Sequence, residues 1–450
     1  MSEACRFDDS LPRLLKILTE KLGPEQTEAG VVLRDATGCL SFFASEEIDD
    51  AVAEQIDSLS RAALGAYARP DRLLVRPGDS GAERTLRDPD ALVIRTTIAD
   101  VIELEIHYLD RRIVGADWLN RPTPPAVPSE TGAPATRALG ARRVAFATLK
   151  GGVGRSTALT IVAADQARKG RNVLVVDLDL EAPGIGSLLL SSDRMPSFGV
   201  IDYLVERNFG EVDDVIVSDM VGTSALTQGQ GLVSVVPAVG TRTLAAPGNY
   251  LAKLSRAMVE AVGGAGGPVS VAGKLREMLD RLEGARRYDL VLIDVRAGLA
   301  ELTAGPLLAL DAEVMIFGTA QRQTIQDLSF LMAHLATLTG DAQPFLRERL
   351  KMVHAKASAT TIQRFRNELW DLFSSYLYVE AVGLQEFNFD ADAPEAPHYP
   401  IVIPLDTAFA DWDPVANPDK LVEDYYARTF IQLLNYIDDI LSTGQVDVED

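Results

Sequence analysis

Residues 146–160 read FATLKGGVGRSTALT: an apolar run, then Lys150, then Gly151, Gly152, Val153 and Gly154, then Arg155, Ser156 and Thr157 before apolar residues resume. Glycine loses more conformational freedom on folding than any other residue, so three in four positions mark a turn that needs bare backbone. RRVAFATL before it has the composition of a buried strand, and STALTIVAADQARKG after it has that of a helix ending at Gly170. Arg168 and Lys169 fall at that helix's negative pole. A strand, a glycine turn and a helix start bring successive N–H groups and a positive helix end to one point, which suits an anion. In such a loop the Ser156 hydroxyl suits Mg²⁺ and Thr157 the α-phosphate of a nucleotide.

A glycine-rich turn alone is open to a ligand-free reading, but two further segments accompany this one. VLVVDLDLEAPG (173–184) ends a strand in Asp177 and Asp179, which strict alternation places on one face. YDLVLIDVRAG (288–298) ends another in Asp294, followed by Gly298. Carboxylates at strand ends beside a phosphate loop stand where Mg²⁺ and an attacking water are held. The remaining apolar runs GLVSVVPA, EVMIFGTA, LKMVHAKA and YPIVIPL alternate with helical patterns at Gly273–Leu282, Thr324–Leu338, Thr361–Tyr378 and Leu421–Leu441. This alternation predicts an α/β fold, a mostly parallel sheet with helices on both faces.

Ahead of it, NRPTPPAVPSETGAPATRALGA (120–141) reads as an extended linker. The expected division is a small α+β domain over 1–120, a linker over 121–141 and the α/β domain over 142–445. In the first domain LPRLLKILTEKL has helical spacing and GVVLRDATGCLSFFA reads as a hairpin around Thr37 and Gly38. Glu46–Tyr67 suits an amphipathic helix and ALVIRTTIADVIELEIHYLD supplies strands. LDRRIVGADWL has an interface composition, but a strand ending in a packed Trp118 is the simpler explanation.

The chain has 450 residues, 43 Lys+Arg against 65 Asp+Glu and a formal net charge of -22, which argues against nucleic acid and anionic lipid as partners. Its two cysteines, Cys5 and Cys39, cannot build a disulfide framework, and the four histidines lack ligand spacing. The opening MSEACRFDDS lacks an apolar signal core, and Asp311 and Glu313 interrupt the longest apolar candidate, so a cytoplasmic location is expected.

Residues 143–441 resemble the MinD/ParA group of P-loop ATPases, the deviant Walker A branch of the SIMIBI class. KGGVGRST, VLVVDLDLEAPG and YDLVLIDVRAG carry the likeness, with SFGVIDYL, VSVVPAVG and VIPLDTAF as weaker counterparts. The resemblance implies ATP and Mg²⁺ as cofactors and an ATP-dependent homodimer in which Lys150 reaches the partner's phosphates. It also implies that Asp179 orients water, that Asp177 and Asp294 support Mg²⁺, that Gly298 senses the γ-phosphate, and that Pro404 and Asp406 lie beside the base. Departures stand out: Arg155 replaces the family's second lysine, Val295-Arg296-Ala297 replaces Thr-Pro-Pro, and MVHAKAS lacks the base-reading asparagine. The expected function is a slowly hydrolysing, nucleotide-gated dimeric switch coupled to an unidentified protein through residues 1–120. The alternative is a scaffold that binds ATP with little turnover.

Overall fold

The computed structural model describes residues 4–98, 102–120, 141–226, 231–261, 268–338, 349–378 and 389–442. The chain divides into two compact units, one of Met1–Leu119 with Thr337–Gly340, the other of Asn120–Ala336 with Asp341–Asp450. Of the expected linker, 121–140 lie outside the described residues.

In the first unit, helices α1 (Phe7–Leu22) and α2 (Asp50–Leu64) accompany a five-stranded sheet. Its strands are β1 (Val31–Arg34), β2 (Leu40–Phe43), β3 (Leu74–Val75), β4 (Leu92–Ile98) and β5 (Ile102–Asp110), in the order β3-β2-β1-β5-β4. The predicted hairpin forms with Val31 opposite Phe43. Its turn is held by the Asp35 carboxylate, which accepts from the N–H groups of Thr37 and Cys39 at 2.9 and 3.0 Å. The expected Glu46–Tyr67 helix is shorter, because Asp49 caps it by accepting from Ala51 N–H at 2.9 Å. Its last residues, Gly65–Tyr67, tighten into a 3₁₀ turn. Leu14, Leu18, Val32, Phe42, Ile56 and Ile106 build the core. Trp118 is buried, while Arg111 and Arg112 pair with Asp88, Asp90 and Asp110.

The second unit is built on an eight-stranded sheet in the order β13-β12-β11-β6-β10-β7-β9-β8. Its strands are β6 (Arg142–Thr148), β7 (Asn172–Asp177), β8 (Gly222–Thr223), β9 (Leu232–Val236), β10 (Leu290–Ala297), β11 (Glu313–Gly318), β12 (Leu350–Ala357) and β13 (Ile401–Pro404). All seven predicted strands form and pair in parallel; the unpredicted two-residue β8 is antiparallel. Five longer helices follow the predicted pattern: α3 (Arg155–Arg168), α4 (Val271–Ala285), α5 (Arg322–Thr337), α6 (Ile362–Tyr376) and α7 (Glu423–Ser442). Shorter helices at Val200–Glu206 and Tyr250–Ala257 were not predicted, being too brief to show a period.

Residues on both faces of the central strands are buried: Val144 and Phe146 face the cluster containing Leu159, Val162 and Phe430, and the alternate Ala145 and Ala147 are equally inaccessible. Helix α3 is tied to α7 by Tyr426, whose hydroxyl donates to the buried Asp165 at 2.9 Å. At one sheet edge, the amide of Val402 on β13 donates to Gln432 Oε1 of α7 at 2.9 Å.

Candidate functional site

Two features put the site at the carboxyl ends of the strands. Strand β10 lies between β6 and β7, so Asp294 stands level with Phe146 on one side and Asp177 on the other. Beyond β6 the chain turns through Gly152 (φ +76°) and Gly154 (φ +93°), values that exclude ordinary side chains, and enters α3. No side chain caps α3, and a Cβ added at Gly151, Gly152 or Gly154 would meet nothing within 4 Å. The orphan amides at the helix head thus border open space, while Val153 is buried and anchors the turn. This is the shape that an anion cradle requires.

Behind the loop is a buried charged cluster. Asp294 is 2 % exposed, and its Oδ2 accepts from Ser156 Oγ at 3.0 Å and from Arg155 Nη2 at 3.2 Å. Arg155 Nε lies 2.7 Å from Asp294 Oδ1 as an ion pair, without hydrogen-bond alignment, so that buried oxygen keeps no hydrogen-bond partner. The same guanidinium donates to the carbonyl of Val295 and approaches Asp179 Oδ2 at 3.6 Å.

Asp177 is wholly buried and accepts from the amides of Asp179, Gly184 and Ile185 at 3.0, 3.1 and 3.1 Å. β7 ends at Asp177, so Asp179 lies beyond the strand, not on a shared strand face, and accepts from Ala182 N–H at 3.2 Å. Burial, followed by the charge of Asp294, pushes the Asp177 carboxyl up to about 7. Burial pushes Asp294 up to about 6 against the lowering effect of Arg155 and Ser156.

A cavity of about 590 Å³ opens in front of this cluster. One wall is the loop from Gly151 to Thr157, with Asp179; the other is formed by Lys356, Pro404, Asp406, Phe409, Asp411 and Phe430. Predicted residues from both halves of the domain therefore meet, although Asp177, Asp294, Lys150 and Gly298 do not line the cavity. Asp406 accepts from Ala408 N–H at 2.9 Å and from Thr429 Oγ1 at 2.7 Å, which fixes the turn after β13. Lys150 is held by Gln321 Oε1 at 2.8 Å, and Gly298 donates its N–H to Thr148 O at 2.9 Å. Arg296 pairs with Glu181.

Sequence reasoning missed Lys356, Phe409, Asp411 and Phe430, because nothing local to these residues marks them. Beneath this wall, His354 of β12 is 1 % exposed, lies 4.5 Å from the Phe365 ring and has no partner for Nδ1. Burial pushes its imidazole down to about 4.

Among the described residues no three carboxylate, histidine or cysteine side chains form a self-sufficient metal cage. The hard oxygen set of Ser156 and Asp294, with one buried carboxylate oxygen lacking a hydrogen bond, fits Mg²⁺ brought in with phosphate oxygens.

Residues 141–348 match the family model described as an AAA domain. Over 207 residues the chain is 30% identical to the chromosome-partitioning ATPase Soj of Thermus thermophilus, a match spanning 46% of this chain and 66% of that protein. This segment is a MinD/ParA-type P-loop ATPase domain. Solved structures similar to it include the MinD cell division ATPase of Pyrococcus furiosus, at 20% identity and a TM-score of 0.40, covering 66% of this chain and 99% of that one. A ParA family ATPase from Chlorobium tepidum follows at 16% identity and 0.39, covering 67% and 98%. The match to Soj falls just short of two thirds of its length. Within the MinD/ParA-type domain, no described helix is long and apolar enough to cross a membrane, and the same holds for the other described residues.

Proposed function

We propose that the protein binds ATP with Mg²⁺ and acts as a nucleotide-gated switch, two copies closing on ATP and separating after slow hydrolysis. The observation that carries this reading is the cavity whose one wall is a bare glycine loop at a helix head, backed by Arg155, Ser156 and Asp294. In the bound state Gly151, Gly152, Val153, Gly154, Ser156 and Thr157 cradle the phosphates. Ser156 and Asp294 hold Mg²⁺, with Asp177 bracing the loop that carries Asp179. Mg²⁺ would supply charge neutralisation of the phosphates; Asp179 orients the water. Lys150 is half-buried, and its ammonium, held by the side chains of Gln321 and Gln323, is available to a second copy. Residues 1–120 couple the cycle to a protein partner.

Calorimetric titration with ATP tests binding, and light scattering of the Asp179→Ala variant with ATP tests closure. Saturable, Mg²⁺-dependent binding and a doubled mass are expected; no binding, or a monomer at saturating ATP, refutes the reading.

A second reading, a sensor that binds ATP with little turnover, is favoured by Arg155, whose forked guanidinium already engages Asp294 and Val295. Background phosphate release beside tight binding, and restored turnover in Arg155→Lys, are its expected signatures.

A further inference from the structure

The loop that carries Asp179 is pinned at two places by groups of different origin. Leu180 N–H donates to Leu178 O at 2.9 Å, which makes a three-residue turn centred on Asp179. Inside the turn, Asp179 N–H donates to the Asp177 carboxylate at 3.0 Å, at the end of β7. At its exit, the carbonyl of Leu180 accepts from the hydroxyl of Tyr250, a residue 70 positions further along the chain. A turn this small has one hydrogen bond of its own. Its shape, and with it the presentation of Asp179 to the cavity, therefore depends on what holds the exit.

Tyr250 is well placed to do this because its own support is firm. It opens the helix Tyr250–Ala257, and Lys253 follows one turn later on the same face. The Lys253 ammonium pairs with Asp202 at 2.5 Å and donates to Thr243 Oγ1 at 2.9 Å, and that hydroxyl donates to Asp202 at 3.2 Å. Asp202 and Thr243 are both buried, and parting the ion pair would strand a buried charge, so the helix has one seat. The neighbouring Leu251 is 76 % exposed, which leaves Tyr250 and Lys253 as the inward face. Burial, followed by the charges of Asp177 and Asp179, pushes the Tyr250 phenol up, so a protonated donor faces the loop. Tyr250 is not among the residues that line the cavity.

We propose that Tyr250 is a positioning residue for hydrolysis: its hydroxyl, by holding the Leu180 carbonyl, fixes the turn that aims Asp179 at the attacking water, and it has no share in holding nucleotide. This rests on the reading above in which Asp179 orients that water.

The test compares wild type with Tyr250→Phe, which keeps the ring and removes only the hydroxyl, and with Leu251→Ala as a control on the same helix. In nucleotide-free protein, hydrogen exchange of peptides covering residues 178–186 should quicken about fivefold in Tyr250→Phe, the factor expected for one lost hydrogen bond, and stay unchanged over 151–157. Steady-state ATP turnover should fall about tenfold in kcat, with calorimetric ATP affinity within about twofold of wild type. Melting temperature should barely move, and Leu251→Ala should match wild type throughout. Unchanged exchange over 178–186 would show that the hydroxyl does not hold the turn. Faster exchange with unchanged kcat would show that the turn does not govern the water. A joint loss of melting temperature, affinity and kcat would show that Tyr250 only supports the fold; each of these overturns the proposal. Background turnover in the wild type would instead favour the sensor reading, and failure of the wild type to bind ATP would refute the function proposed above; the exchange comparison in nucleotide-free protein then decides alone whether Tyr250 holds the turn.

Discussion

The two walls of the cavity are made by different physics. The phosphate wall is local: glycines, a helix head and the side chains of Arg155 and Ser156 fall within residues 151–157, and only the carboxylates come from elsewhere. The opposite wall is assembled from β12, the turn after β13 and α7, whose residues Lys356, Asp406 and Phe430 are far apart in sequence. The first wall is rigid backbone with buried charge behind it. The second is side chains held by one or two hydrogen bonds, such as Asp406 by Ala408 and Thr429 and Lys356 by Gly152. Damage to the first should therefore abolish binding, and damage to the second should grade it.

The largest effect is expected at Gly154. Valine there must adopt φ +93°, and Gly154→Val should cost about 2 kcal/mol of loop strain or more and reduce ATP affinity by over about 100-fold in titration. Next comes Asp294→Asn. It removes the anion that holds Arg155, so Mg²⁺ dependence of binding should fall by about tenfold or more while metal-free ATP binds more tightly than to wild type. Calorimetry with and without a chelator reads both changes, and unaltered Mg²⁺ dependence would detach Asp294 from the metal.

Acid separates the walls by sign. Asp177 and Asp294 have folded pKa values of about 7 and about 6, above the ordinary 3.8, so the folded state holds their protons more tightly. The stability they contribute is full below the ordinary value and is lost as pH rises through those values. His354 runs the other way: its pKa of about 4 lies below the ordinary 6.5, so its contribution is full above 6.5 and is lost as pH falls toward 4. Between pH 4 and 6.5 the two oppose. Melting curves of the nucleotide-free protein should show His354→Leu gaining in acid relative to wild type, and Asp294→Asn losing. Like-signed changes would mean that the walls do not titrate separately. The smallest effect belongs to Thr429→Val, which removes one hydrogen bond to Asp406 and should lower stability by about 1 kcal/mol, seen as a modest drop in melting temperature.

The same contrast explains what the sequence discloses. Gly152 and Gly154 are readable because a positive φ is a local demand that few residues meet, and the seven strands because burial on both faces leaves runs of apolar residues. Asp177 and Asp294 were found as acidic strand ends, but not the use of Asp177 as a cap for three amides, which depends on how the next loop folds back. Lys356 gave no sign, since the register shift around it depends on β13, more than forty residues later. α2 starts at Asp50 and not at Glu46 because Asp49 caps it, which the amphipathic spacing of the stretch does not disclose.

The flanks of the eight-stranded sheet carry a consequence of their own. At one end β8 is only two residues long; at the other, β13 finishes in Pro404, which has no amide proton, and the outward amide of Val402 is already spent on Gln432. Among the described residues, neither flank offers a ladder of free backbone groups onto which a neighbour's strand could zip. These edges disfavour growth of the sheet from one molecule into the next, and favour side chains and loops as the contacts between copies, contacts that a small ligand is able to make and unmake.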